Sequence, residues 1–176
     1  MNKILFVKWI AALYVCAVAS CATPTNRTSV PMSARSVVSS KEALADSIHA
    51  EVNSYRRRHG AKSLQRHPGL DRLAHEHCEF LRKNRGTFRI HGKNVSHSGF
   101  KGRAMAARRK FHMSAVGENV VAAQASGGNA ASTLVSLWTG AHGHERNMRQ
   151  AWTHAGIGVV IDDDGMIFAT QLFGTR

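Results

Sequence analysis

Gly156-Ile157-Gly158-Val159-Val160-Ile161 and Met166-Ile167-Phe168-Ala169-Thr170-Gln171-Leu172-Phe173 flank Asp162-Asp163-Asp164-Gly165. Two apolar runs around an Asp-Gly turn read as a closing β-hairpin. The fold class is decided here, because most of what precedes the hairpin has helical periodicity. Ser39-Ser40-Lys41-Glu42 reads as a capping box, and Leu44, Ile48, Val52 and Tyr55 then repeat at helical spacing until Gly60. After His67-Pro68, where proline suits a first helical turn, Leu70, Leu73, Ala74, His77 and Leu81 share one face, and this helix ends around Asn84-Arg85-Gly86. A third, basic helix is predicted from Gly99 to Phe111 and a fourth from Asn129 to Trp138, with a strand over Ala115 to Ala123 between them. Helices first and a hairpin last predict an α+β domain, layered on a small antiparallel sheet, over residues 40–176. No internal repeat is present.

The first residues belong to export rather than to the fold. Lys3 and Lys8 precede an apolar run, Trp9 to Ala19, that is shorter than the roughly 20 residues needed to span a bilayer. Val18-Ala19-Ser20-Cys21 resembles a lipobox, the site at which bacterial lipoproteins are cut and their cysteine diacylated. The expectation is a signal peptide over residues 1–20, lipidated Cys21 as a palmitate-bearing membrane anchor, and a Ser-, Thr- and Pro-rich tether over 21–39. The plainer alternative is an ordinary signal cut nearby, which releases a free protein. Two acyl chains would hold the protein stably, where one gives only marginal binding. Ala22 stands where an Asp often retains lipoproteins in the inner membrane, so in a two-membrane cell the outer membrane is expected.

Of three cysteines, Cys16 lies in the signal and Cys21 at the lipidation site, leaving Cys78 alone. No intrachain disulfide can form in the mature domain, and its core must hold it. The formal charge of +13 becomes +11 once Lys3 and Lys8 leave with the signal and every acid stays. Export removes the nucleic-acid reading of such charge and points to anionic envelope polymers or lipid head groups. Solvated surface charge is the bland alternative.

Eleven histidines have to be sorted. His49, His59, His67, His91, His112 and His154 have no partner spacing and are assigned no function. His75-Glu76-His77-Cys78-Glu79 looks like a metal cluster as text, yet residues two apart on a helix project about 200° apart. His77 should pack inward, His75 outward, and Cys78 should behave as a small buried apolar residue. His144-Glu145-Arg146-Asn147-Met148 lacks the second histidine of a zinc-protease helix.

Three segments say more: Ser96-His97-Ser98-Gly99-Phe100 with Arg103 after it; Gly117-Glu118-Asn119-Val120; and Trp138-Thr139-Gly140-Ala141-His142-Gly143-His144-Glu145-Arg146-Asn147-Met148. With Gly156-Ile157-Gly158 and the closing Gln171-Leu172-Phe173-Gly174, their order and spacing resemble the bacterial branch of the CAP, or SCP-like, superfamily over about residues 44–174. The resemblance implies a three-layer α-β-α sandwich with a cleft in which His97, Glu118 and His144 meet. The family's second cleft glutamate is missing, since Thr139-Gly140-Ala141-His142 carries no acid. Glu145 adjoins His144, but neighbouring residues on a helix face different sides.

Two neutral imidazoles, His97 and His144, can share a zinc ion whose water Glu118 would hold or deprotonate, which would make a hydrolytic site. Against this, only two ligands are identifiable and no Ser or Cys nucleophile is evident. In the competing reading Glu118 pairs with the imidazoles and braces the cleft. The leading expectation is a non-enzymatic envelope lipoprotein that binds lipid, envelope polymer or a protein through its cleft or its basic surface, with zinc at His97 and His144 as the one cofactor the residues allow. A metal-dependent hydrolase using His97, Glu118 and His144 is the alternative.

Overall fold

The computed structural model describes residues 32–85, 97–124 and 129–176, with side chains from Ser40 onward. The signal, Cys21, residues 21–31 of the tether, His91 and Ser96 lie outside the described residues. Among the described residues five helices and four strands follow in order: α1 Met32–Arg58, β1 Gln65–Arg66, α2 Pro68–Lys83, α3 Phe100–Phe111, β2 Ala115–Gln124, α4 Ala130–Thr139, α5 His142–Arg149, β3 His154–Ile161 and β4 Met166–Thr175. The hairpin forms as predicted, with Gly165 at φ +83° supplying the left-handed residue of its turn.

The sheet runs β1-β3-β4-β2. β3 and β2 pair antiparallel with β4, Ile157 opposite Gln171 and Glu118 opposite Leu172. The sheet is mixed rather than purely antiparallel, because the two-residue β1 lies parallel to β3. A strand that short has no readable alternation, and Pro68, which has no N–H to donate, opens a helix just after it.

Alternation along the strands sorts residues between two helical layers. Val121, Ile157, Val159, Ile167, Ala169 and Phe173 pack with Ile48 and Val52 of α1 and with Leu134 and Trp138 of α4. On the other face Val120, Ala122, Val160 and Phe168 meet Cys78 and Leu81 of α2, and Leu172 meets Leu70 and Ala107. Strands buried on both faces explain why the hairpin reads as continuous apolar runs.

α1 begins at Met32, not at Ser39. Its stretch over residues 32–39 contains neither glycine nor proline, and once the packed half around Ile48 and Val52 is nucleated, extending the helix backward adds a hydrogen bond per residue. The Ser39–Glu42 segment is therefore helix interior, and the helix takes eight residues from the predicted tether. α2 is capped by His67, whose Nδ1 accepts from the Gly69 and Leu70 backbone N–H groups at 3.1 and 3.3 Å. His75 is exposed and His77 buried, as the helical spacing requires. Cys78 is wholly buried, its thiol donating to Gly158 O and Thr170 Oγ1 at 3.4 and 3.3 Å, and burial pushes its pKa up to about 12. It is an inert core residue. No helix among the described residues is long and apolar enough to cross a membrane.

Candidate functional site

Glu118 lies on β2, at the edge of the sheet, and alternation points it to the face of Val120 and Ala122, beneath α2 and α3. A carboxylate there is out of water: its side chain is 1% exposed. Such a charge persists only if it is paired and hydrogen-bonded. Arg103, in the first turns of α3, donates from Nε to Oε2 at 2.7 Å and from Nη2 to Oε1 at 2.9 Å. Its remaining Nη1 donates to Ser98 O at 2.8 Å. His97 adds a contact from Nδ1 to Oε1 at 2.8 Å. Burial by itself would raise the Glu118 pKa, but the hydrogen bonds from His97 and Arg103, with the arginine charge, outweigh it and hold the carboxyl below its ordinary range.

His144 approaches from α5. Its ring centroid lies 6.0 Å from that of His97, and burial, then the neighbouring His97, lower its pKa. Its Nδ1 is buried without a hydrogen-bond partner among the described residues. The helix carrying it is fastened to β2 by two asparagines. Asn119 donates to His144 O at 3.0 Å, and Asn147 Nδ2 donates to both Glu118 O and Asn119 Oδ1, at 3.1 and 3.0 Å. Trp152 Nε1 closes the arrangement on Asn147 O at 2.7 Å, while its ring lies where a Gly117 side chain would stand, with Cζ2 2.8 Å from a Cβ built there.

The structure thus brings His97, Glu118 and His144 together. It places Glu145 elsewhere, accepting from Tyr55 Oη at 2.7 Å and pinning α5 to α1. Arg103, Asn119 and Asn147 stand within the quoted motifs with no role expected from sequence, and the structure gives them one: Arg103 pairs Glu118, and the asparagines fasten α5 to β2. A glutamate buried in an apolar strand needs a permanent positive charge, which neutral imidazoles do not supply, and Arg103 is the residue that meets it.

A zinc ion can be tested against this donor set. His97, oriented through Nδ1 by a carboxylate, and His144, with an orphaned Nδ1, have the habit of ligands. They are only two, and among the described residues no three metal-ligating side chains converge. The acid that would handle a metal-bound water is already bonded at both oxygens, three times over, and stands against a guanidinium. The set does not fit a resident catalytic zinc.

Chemically the arrangement is a clamp. Substituting Asn147 by alanine should leave Glu118 O and Asn119 Oδ1 short of a donor and cost about 1–3 kcal/mol in a urea-unfolding experiment. Acid should loosen the fold in two stages. His144, His49 and His154 have lowered pKa values, so their neutral forms contribute stability that is complete above about 6.5 and is lost as pH falls below it. Glu118, also lowered, contributes stability that is complete above about 4.3 and is lost as pH falls through its folded value. Thermal melts from pH 8 to pH 3 should fall along both windows, and His144→Gln should shrink only the first.

A three-layer sandwich with this cleft defines a CAP-type, or SCP-like, domain. The chain belongs to the cysteine-rich secretory protein family, whose model matches residues 49–173. Among solved structures it is similar to an outer surface protein of Borrelia burgdorferi, with a TM-score of 0.62 and 17% identity over 77% of this chain and 95% of that one. An SCP-domain extracellular protein of Bacillus anthracis gives a TM-score of 0.59 and 21% identity over 84% of this chain and 45% of that one. A cysteine-rich secretory protein of Staphylococcus aureus gives 0.58 and 15%, over 77% and 39%. The chain spans less than half the length of the latter two. Among curated proteins none matches it in sequence.

Proposed function

We propose that this protein is exported, anchored through lipidated Cys21, and acts at the cell envelope as a binding module without catalysis. One observation carries the non-catalytic part: both oxygens of Glu118 are held by Arg103 and His97, so among the described residues the cleft has no acid free to take or give a proton. The signal-like residues 1–20, the Val18–Cys21 sequence and the bacterial surface and extracellular proteins with this fold support export and anchoring. The +11 charge of the mature chain favours an anionic envelope ligand, polymer or lipid head group, over a neutral one, and anionic polymer is the ligand put to test.

The full chain should bind isolated anionic envelope polymer with an affinity that falls steeply between low and high salt. Binding should survive His97→Ala. Polymer cleavage that disappears in a folded Glu118→Gln variant would instead establish the hydrolase reading. For the anchor, palmitate labelling should be present in the parent and absent in Cys21→Ser; equal labelling of both would refute it.

A further inference from the structure

A second concavity, which shares Trp152 with the clamp, lies where α1 and α5 both end. It has a volume of about 510 Å³, within the range of ordinary ligand pockets, and its wall carries Arg56, His59, Lys62 and Arg149 beside Trp152. Among the described residues no carboxylate lines it. The nearest acid to enter the network, Glu145, is held by Tyr55 at 2.7 Å and reaches Arg149 at 3.3 Å.

Arg56 is the unusual member. It is 1% exposed, yet its hydrogen bonds go to carbonyls alone: Nε to Lys62 O at 2.8 Å, and Nη1 to Gln150 O at 3.0 Å and to Met148 O. Burial, with no carboxylate to offset it, pulls its pKa down. The carbonyls at the C-terminal end of α5 supply partial negative charge. They leave a full positive charge buried with no counter-ion among the described residues, an arrangement that favours an arriving anion. The larger groove beside α1 and α2, about 640 Å³, makes the contrast: there Arg66 is neutralised by Asp46 and Asp71 at 2.9 and 2.6 Å.

Trp152 adds a second chemistry. Its ring is fixed by the Nε1 bond to Asn147 O and by stacking on Phe173 at a centroid distance of 5.7 Å, while the residue remains partly exposed at the pocket. A rigid aromatic surface beside cations suits a ring with an apolar C–H face and a charged substituent. We propose that this pocket binds an anionic saccharide unit, its oxyanion seated over Arg56 between Lys62 and Arg149 and its ring against Trp152. The pocket gives the envelope-binding reading a location, and rests on that reading for the choice of a sugar rather than another anion.

Calorimetry on the full chain in non-ionic detergent, with glucose 1-phosphate, glycerol 3-phosphate and glucose, tests it. Saturable binding is expected in the order glucose 1-phosphate, glycerol 3-phosphate, glucose. The Lys62→Gln/Arg149→Gln pair should bind glucose 1-phosphate about ten-fold more weakly or worse. Lys41→Gln/Arg72→Gln, which removes the same charge at the other groove, should bind as the parent does. Equal loss in both pairs, or no preference for glucose 1-phosphate over glucose, would overturn the pocket. Glycerol 3-phosphate bound as well as the sugar phosphate would overturn the saccharide and assign a lipid-type head group. Polymer binding that persists while the parent ignores glucose 1-phosphate would refute this site and leave the envelope reading standing.

Discussion

Replacing Gly158 by valine is expected to be among the most damaging single changes in the domain, lowering stability by about 3 kcal/mol or more in urea unfolding. A Cβ on Gly158 would lie 2.2 Å from both Ala74 C and His75 N, and 2.5 Å from Ala74 O. These are backbone atoms of α2, which cannot rotate aside as a flexible side chain would. Gly156 repeats the pattern one pleat earlier, 2.2 Å from Leu70 C. The Gly-Ile-Gly stretch therefore gives α2 a seat directly on β3, and relief requires the whole helix to lift from Leu172 and Phe168. Alanine at either position should already be costly. An exposed glycine such as Gly102, with nothing within 4 Å of its Cβ, should accept alanine freely. Equal tolerance at 158 and 102 would refute the packing described for α2.

The second large effect is at Arg103. Substitution by methionine keeps much of the side-chain bulk and removes the bidentate partner of a buried carboxylate, and is expected to cost about 3–5 kcal/mol at neutral pH. His97 cannot make up the loss, because its side chain is 46% exposed and it supplies one hydrogen bond rather than a fixed charge. The sign can be checked with a second substitution. Arg103→Met combined with Glu118→Gln removes the stranded charge and should recover much of the stability, whereas two unrelated losses would add. A cost below about 1 kcal/mol for Arg103→Met, the level of a surface ion pair, would mean that Glu118 is not held as described.

Much of this architecture is legible in the residues. The hairpin, the faces of α2 and the burial of His77 and Cys78 follow from periods of two and 3.6 with a turn signal between them. The meeting of His97, Glu118 and His144 is less local: it is implied by the family resemblance, which the order and spacing of the motifs carry, and not by helical or strand periodicity. What stayed hidden depends on tertiary context. β1 is two residues long and exists because β3 offers it an edge. α1 starts before Ser39-Ser40-Lys41-Glu42, a sequence that has the chemistry of a cap even when the helix runs through it. Arg103 stands among several basic residues of α3, and nothing local separates it from the solvated ones. Only the burial of its carboxylate partner does so.

A clamped Glu118, as opposed to a proton carrier, is recognised by its own titration. The carboxyl pKa of Glu118 can be followed by carbon NMR in the full chain and in Arg103→Met. A value below the ordinary 4.3 or so, rising when Arg103 is removed, is the predicted result. A value raised toward about 6–7 in the parent would be that of a group poised for acid–base work and would contradict the account.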